Sequence, residues 1–311
     1  MLDIWEQHTG SIAAYVFVVV LGLLWGSFAN VCIYRWPPTD EFPKGRSVVK
    51  PGSHCFACKQ PIAWYDNMPL IAWLWLRGRC RKCKAPFSAR YLIVEAATGA
   101  LFGVAWWFTV HHGMWWWRED FDHRLLRFGI YAAFCFVMVV ITFIDIDHKL
   151  ILDKVTFPSI AGFYGLSFLL AERQWWEGLV GAAIGYGFPW LIGEIYYRVT
   201  GREGLGLGDS KLLAVIGALL GWKGVFVSLF GGALLGSVIG IVILVRARKA
   251  LPGDAALPNP EDPATDSEDS SEEEPSLMRT ELPFGPFLCM AAVFYLFAEP
   301  YLQLHFRLLG G

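Results

Sequence analysis

Charge is scarce in this sequence. Lys, Arg, Asp and Glu make up 17% of its 311 residues, where a soluble domain carries roughly 25%. That shortage excludes an ordinary soluble globule. The first ten residues, "MLDIWEQHTG", contain no Lys or Arg and carry Asp3 and Glu6. A cleaved export signal begins with a basic stretch, so the first apolar run is expected to stay on the chain as a membrane helix. Lys and Arg are missing again between residues 254 and 274, among nine acidic residues. The formal net charge of −2 hides this segregation and by itself says little.

What the chain has in excess is apolar. Hydrophobic residues make up 55%, with 15 Trp and 23 Phe, and the mean hydropathy is +0.42. Apolar runs of about 18 residues or more mark membrane spans. Eight are expected, at about 11–33, 91–110, 125–144, 155–171, 178–197, 211–222, 224–245 and 284–304. The run at 211–222 is short, and the sidedness of everything after it depends on it. The expected fold class is therefore an all-α polytopic membrane protein of about eight transmembrane helices. Residues 34–90 hold eleven Lys and Arg against Asp40, Glu41 and Asp66. Basic loops stay in the cytoplasm. The segments 145–154, 198–210 and 246–283 then share that face, and both termini lie on the periplasmic side.

The first cytoplasmic loop contains "CFAC" (Cys55, Cys58) and "CRKC" (Cys80, Cys83), separated by 21 residues. Two C-x-x-C turns at this separation present four thiolates to one ion and predict a tetrahedral, structural zinc site. A reducing cytoplasm disfavours disulfides, and four closed ligands leave no open position for catalysis. Cys32, Cys135 and Cys289 lie singly in apolar runs and read as small buried residues.

Ionisable groups bordering a span are costly and point to function. The third span ends "ITFIDIDHKLILDK", with Asp145, Asp147 and Asp153. The sixth opens after "GLGLGDSK", with Gly204, Gly206, Gly208 and Asp209. Both ends fall on the cytoplasmic face, so Asp209 and one of the three earlier carboxylates can meet at matched depth. Topology and span length allow any of the three. Two adjacent carboxylates share a proton. One then activates water while the other hydrogen-bonds a scissile carbonyl, with no Ser or Cys nucleophile. Glycines ahead of Asp209 allow close backbone approach. A helix N-cap is the plain alternative for Asp209 alone. A cation transporter would place its carboxylates near mid-membrane, whereas these lie at span ends. A non-catalytic scaffold gives no reason for the glycine-flanked aspartate.

Taken together, the motifs resemble the GxGD membrane aspartyl proteases, and among them the bacterial type IV prepilin peptidases. "GLGLGD" is similar to the family's G-x-G-D motif, and "GSFANVCIYRWP" (26–37) to the end of its first span. The C-x-x-C pairs, "DNMP" (66–69), "ARYLIVE" (89–95), "IDIDHKLILD" (144–153) and "PFGPFL" (283–288) follow in the family's order. The resemblance implies cleavage of leader peptides from prepilins or pseudopilins of type IV pili and type II secretion. It also implies N-methylation of the new amino terminus with S-adenosylmethionine. It matches the catalytic aspartates to Asp145 and Asp209, and associates Gly26, Asn30, Arg35 and Glu95 with methyl transfer. For Gly26, close packing of two helices is an equally good reading. The implied division is 1–110, carrying methylation, and 111–311, the peptidase core. Prepilins and membrane lipid are the expected partners, with no nucleic acid. Two departures stand out: "ILD" (151–153) where the family has L-P-D, and the acidic, Pro- and Ser-rich insert 250–280, whose composition predicts disorder.

Overall fold

The computed structural model describes residues 10–111, 119–201, 206–250 and 283–309. The N-terminal acidic stretch, Gly204 and nearly all of the acidic insert lie outside the described residues. Among the described residues the protein is helical, with two isolated β-bridges and no strand. In chain order the helices are α1 (Ile12–Arg35), a short α2 (Ile71–Trp75), α3 (Arg90–Trp106, continued by a π-turn, Trp107–His111), α4 (Phe121–His148), α5 (Asp153–Ser167), α6 (Trp175–Thr200), α7 (Leu207–Ala250) and α8 (Gly285–Leu309). Six of them are long and apolar enough to cross a membrane: α1, α3, α4, α6, α7 and α8.

Local chemistry sets the helix ends. Ser11 caps α1, its hydroxyl accepting the Ala14 N–H at 3.2 Å, which satisfies one of the first-turn donors. Gln174 and Glu177 form a reciprocal capping box on α6. At the end of α4, Lys149 adopts a left-handed conformation (φ 50°) and donates its N–H to the Asp145 carbonyl at 2.8 Å. That cap stops α4 one turn after Asp145, which fixes Asp145 at the helix end.

The eight predicted spans occupy seven helices, because α7 contains two of them. Gly221 sits at φ 69°, ψ −176° inside α7, a conformation glycine reaches without steric cost. Before it, the helix packs antiparallel on α6, with Gly217 against Gly181 and Leu213 against Gly185. After it, Gly224 meets Tyr295 and Gly236 meets Phe287 on α8. The chain therefore reverses at Gly221, and residues 207–220 and 222–246 run in opposite directions. Helix α5 has 15 residues, about 22 Å of rise, and is shorter than the apolar run that predicted it.

The outward faces are apolar. Phe17, Phe230, Leu234 and Phe294 are each 66–70% exposed, as expected where hydrocarbon is the solvent. A cluster of buried charges lies at the end of the bundle away from Asp145. Arg127, 1% exposed, pairs with Glu119 and Glu172. Arg173 pairs with Glu299 of α8 and donates to the Leu220 carbonyl at 3.1 Å. Breaking the helix at Gly221 frees carbonyls, and Arg173 supplies a donor to one of them. The reversal is thereby tied to α8.

Candidate active site

Asp145 lies on the last turn of α4 and is 6% exposed. Its carboxylate lies beside the backbone N–H of Gly285, the first residue of α8. Asp209 lies on the first turn of α7, its N–H bonded to the Gly206 carbonyl at 3.1 Å. The two carboxylates are close enough to interact electrostatically. Cys289, one turn into α8, feels both, so the pair sits over the start of that helix. The "ILD" segment closes one side: a Cβ on Gly208 would lie 3.1 Å from the Ile151 Cβ.

The three earlier carboxylates now differ. Asp147 is ion-paired with Arg90 at the start of α3. Asp153 is ion-paired with Lys211, two residues past Asp209. Asp145 is the buried one, and it is the one beside Asp209. "PFGPFL" supplies the Gly285 N–H, a role that no local sequence signal revealed.

Around the cysteines, the chain repeats itself. "CFACKQP" (55–61) and "CRKCKAP" (80–86) share the pattern C-x-x-C-K-x-P, a regularity the search for C-x-x-C pairs alone overlooked. Each copy forms the same turn. Cys55 N–H donates to the Gln60 carbonyl (2.9 Å) and Cys80 N–H to that of Ala85 (2.8 Å). Lys59 and Lys84 both adopt positive φ, 56° and 61°. All four sulfurs lie within 4.8 Å of one another, with Cys55 and Cys83 3.7 Å apart. A zinc–sulfur bond of about 2.3 Å makes a tetrahedron edge of roughly 3.8 Å, so the cluster fits a single ion. Backbone N–H groups, that of Cys58 foremost, draw the Cys55 thiol down, and those of Cys83 and Lys82 draw Cys80 down, while burial and the neighbouring thiols push Cys83 up; the four sulfurs share charge as one group. Between residues 36 and 89, the only buried hydrophobic residues are Cys55, Ala72 and Cys80. The loop has almost no apolar core to hold it without a metal.

Between this loop and the ends of α1 and α3 lies a cavity of about 350 Å³, within the range of small-molecule sites. Asn30, Arg35 and Glu95 line it. Gly26 does not. It lies beneath Glu95, where a Cβ would come within 2.7 Å of the Glu95 Cα, and so sets how closely α1 approaches α3. Arg35 donates to the Ser47 carbonyl at 3.0 Å and holds the loop onto α1. Two wall residues carry buried polar atoms without partners: Asn30 Oδ1 and Trp73 Nε1. Buried polar atoms are normally satisfied, and both of these lie on the cavity wall. Trp73 carried no sequence signal.

The chain matches two family models: the bacterial peptidase A24 N-terminal domain over residues 20–109 and the type IV leader peptidase family over 132–241. Curated relatives match over three quarters of the chain or more. The prepilin leader peptidase/N-methyltransferase of Myxococcus xanthus is 33% identical over 330 residues, covering 93% of this chain and 91% of that protein. The chain belongs to the type IV leader peptidase family. Two further relatives carry the same name. The Pseudomonas aeruginosa protein is 32% identical, covering 94% of this chain and 92% of its own. That of Aeromonas hydrophila is 36% identical, with 75% and 82% covered. No solved structure shows a significant match. As a type IV leader peptidase family member with six membrane-length helices, the protein is a membrane enzyme of an aspartic peptidase family. The family models meet the structure at two places, the loop-and-cavity unit and the helical bundle bearing Asp209.

Proposed function

We propose that this chain cleaves the leader from type IV prepilins or pseudopilins with Asp145 and Asp209, and then N-methylates the exposed amino terminus. The observation that carries the first half is the pairing of Asp145 with Asp209 at one end of the bundle. In this reading 111–311 is the peptidase core and 1–110 the methylation unit. The basic loop 34–90 supports a cytoplasmic site in a bacterial inner membrane. A prepilin is a short basic leader ahead of an apolar helix. A site at the membrane edge lets the helix stay in lipid while the leader stays in water.

In the cleavage step, Asp145 is the proton acceptor. Gly285 N–H lies beside its carboxylate, and an ionised oxygen accepts a hydrogen bond more strongly than a neutral one. Among the described residues Asp209 has no such donor, and serves as the proton donor. Asp145 takes a proton from water, and the water oxygen bonds the scissile carbonyl carbon. Asp209 gives its proton to the carbonyl oxygen. The C–N bond then breaks, and the leaving nitrogen takes up a proton from the dyad.

Cys55, Cys58, Cys80 and Cys83 would hold zinc in a closed, structural site. The walls of the 350 Å³ cavity, with the unpartnered Asn30 Oδ1 and Trp73 Nε1, would hold S-adenosylmethionine, which when bound would supply the methyl group. The purified protein, incubated with a prepilin and labelled S-adenosylmethionine, is expected to shorten the substrate and label its new N-terminus. Shortening without label would leave a peptidase alone, and neither reaction would refute the reading.

Gly285→Ala tests the dyad's support. Its Cβ would lie 2.5 Å from Asp145 Oδ2, so either the start of α8 or the carboxylate must shift. Misplacement of about 1 Å costs about 10²-fold in rate. Leader cleavage by Gly285→Ala is expected to fall by that order, measured as kcat/KM on a prepilin, while zinc content stays unchanged.

A further inference from the structure

We infer that Glu95 is the proton acceptor that readies the new N-terminal amine for methylation; the inference rests on the bifunctional reading above. A free α-amine has a pKa of about 7.7–8.0, so near neutral pH it is largely an ammonium. An ammonium has no lone pair with which to take a methyl group, and some group must first remove a proton.

The cavity wall offers two carboxylates, Asp66 and Glu95. Asp66 is occupied. Arg81 grips both its oxygens, at 3.0 and 2.8 Å from Nε and 2.6 Å from Nη2, and holds its carboxyl below the usual carboxylate range. Glu95 is different. No Lys or Arg among the described residues pairs with it, although it is only 8% exposed. Its Oε2 accepts the Leu70 N–H at 2.8 Å, and the Ser27 hydroxyl lies near it. These two groups fix the carboxylate and leave lone pairs free, since a carboxylate accepts about four hydrogen bonds.

The surroundings suit an ammonium. Gly26 and Asn30 lie four residues apart on one face of α1, as do Tyr91 and Glu95 on α3. Gly26 packs on Glu95, while Asn30 Nδ2 donates to the Tyr91 carbonyl at 3.1 Å. Asn30 Oδ1 is left on the same cavity wall, buried and without a donor. An N-terminal ammonium entering the cavity can give an N–H to Glu95, and Asn30 Oδ1 offers a further acceptor on that wall. The remaining charged wall residues, Arg35, Arg79, Arg81 and Lys82, are cations and cannot accept the proton. His54 donates its Nδ1–H to the Gly52 carbonyl at 3.1 Å, which leaves Nε2 as the other acceptor on this wall; His54→Gln is therefore the control, and its methylation should keep the flat wild-type pH profile.

In the step itself, one N–H bond breaks, its electron pair stays on nitrogen, and Glu95 gains an O–H. The neutral amine then takes the methyl group and becomes a methylammonium, while the donor's sulfonium becomes a neutral thioether.

Glu95→Gln keeps an oxygen for the Leu70 N–H but cannot take a proton. With the full-length protein in detergent and a leaderless pilin peptide as acceptor, kcat for methylation at pH 7 is expected to drop about 10²-fold or more. The residual rate should climb about tenfold per pH unit up to roughly pH 8, where the free amine deprotonates unaided. The wild-type rate should stay flat over that range. Calorimetric affinity for S-adenosylhomocysteine should not change, and leader cleavage, which uses a different site, reports that the variant is folded. Glu95→Asp keeps the carboxylate and should retain the flat profile at a reduced rate. Full methylation by Glu95→Gln would overturn the assignment alone. So would lost S-adenosylhomocysteine affinity with an unchanged pH profile, or a Glu95→Asp rate that climbs with pH. A wild-type protein that cleaves but never methylates would sink the bifunctional reading and this inference with it.

Discussion

Asp145→Asn and Asp209→Asn are each expected to lower leader cleavage by at least about 10³-fold, within the range that acid–base groups supply. Asparagine keeps the shape of the side chain and its place at the helix end, so the bundle should survive. Each variant removes one of the two protonation states that hydrolysis needs. The double variant should therefore be little worse than either single one, because the pair acts as a unit. Methylation of a leaderless peptide should continue in both, since the cavity lies on α1, α3 and the loop. Asp147→Asn is the informative control. It loses the ion pair with Arg90 but touches neither carboxylate of the pair, and its cleavage rate should stay within about tenfold of wild type. Purified protein, a prepilin substrate and gel-resolved kcat/KM suffice. A dead Asp147→Asn beside an active Asp145→Asn would move the dyad to 147 and 209.

Removal of the metal should produce the opposite split. A structural zinc site in a small domain contributes roughly 10–16 kcal/mol of apparent binding free energy at pH 7. The loop it closes has three buried hydrophobic residues between 36 and 89, far too few to fold it alone. The paired substitution Cys55→Ser with Cys80→Ser is expected to eliminate bound zinc and expose the loop to protease. With it go the walls that Asp66, Trp73 and Arg81 give the cavity, so methylation should fall below detection. The dyad depends on α4, α7 and α8, and cleavage should persist at a substantial fraction of wild type. Metal analysis of the wild-type protein should give close to one zinc per chain, and a value below about half an equivalent would count against the site. Equal loss of both activities in the cysteine variant would mean that the loop supports the whole bundle.

Much of this architecture was legible in the order of residues. Hydrocarbon imposes one simple rule, that backbone groups be satisfied within a helix, so apolar run length alone located the helices. The C-x-x-C pairs were equally plain, because a tetrahedral ion demands four ligands and the chain can offer them only in tight turns. Other features were hidden. Nothing around Gly221 distinguishes a reversal from an ordinary interruption, and Arg173 and Glu299, which secure it, lie 48 residues before and 78 after. The 15-residue α5 was overestimated because apolar loop residues extend its hydropathy beyond its hydrogen bonding.

By itself, the sequence determined that the chain is helical and embedded in a membrane, that four cysteines form one group, and that acidic residues stand at the ends of spans. These are properties of short segments, and solvation acts on segments as they stand. Only the tertiary structure decided which acid meets which. It brought Asp145 beside Asp209, gave Asp147 to Arg90 and Asp153 to Lys211, and set Gly285 under Asp145. It also formed a cavity from α1, α3 and the cysteine loop, and left Glu95 there with no ion-paired Lys or Arg among the described residues. The physical reason is that a charge in a poorly hydrated site is governed by the groups within a few ångströms of it. Those groups come from helices that the chain joins only when it packs.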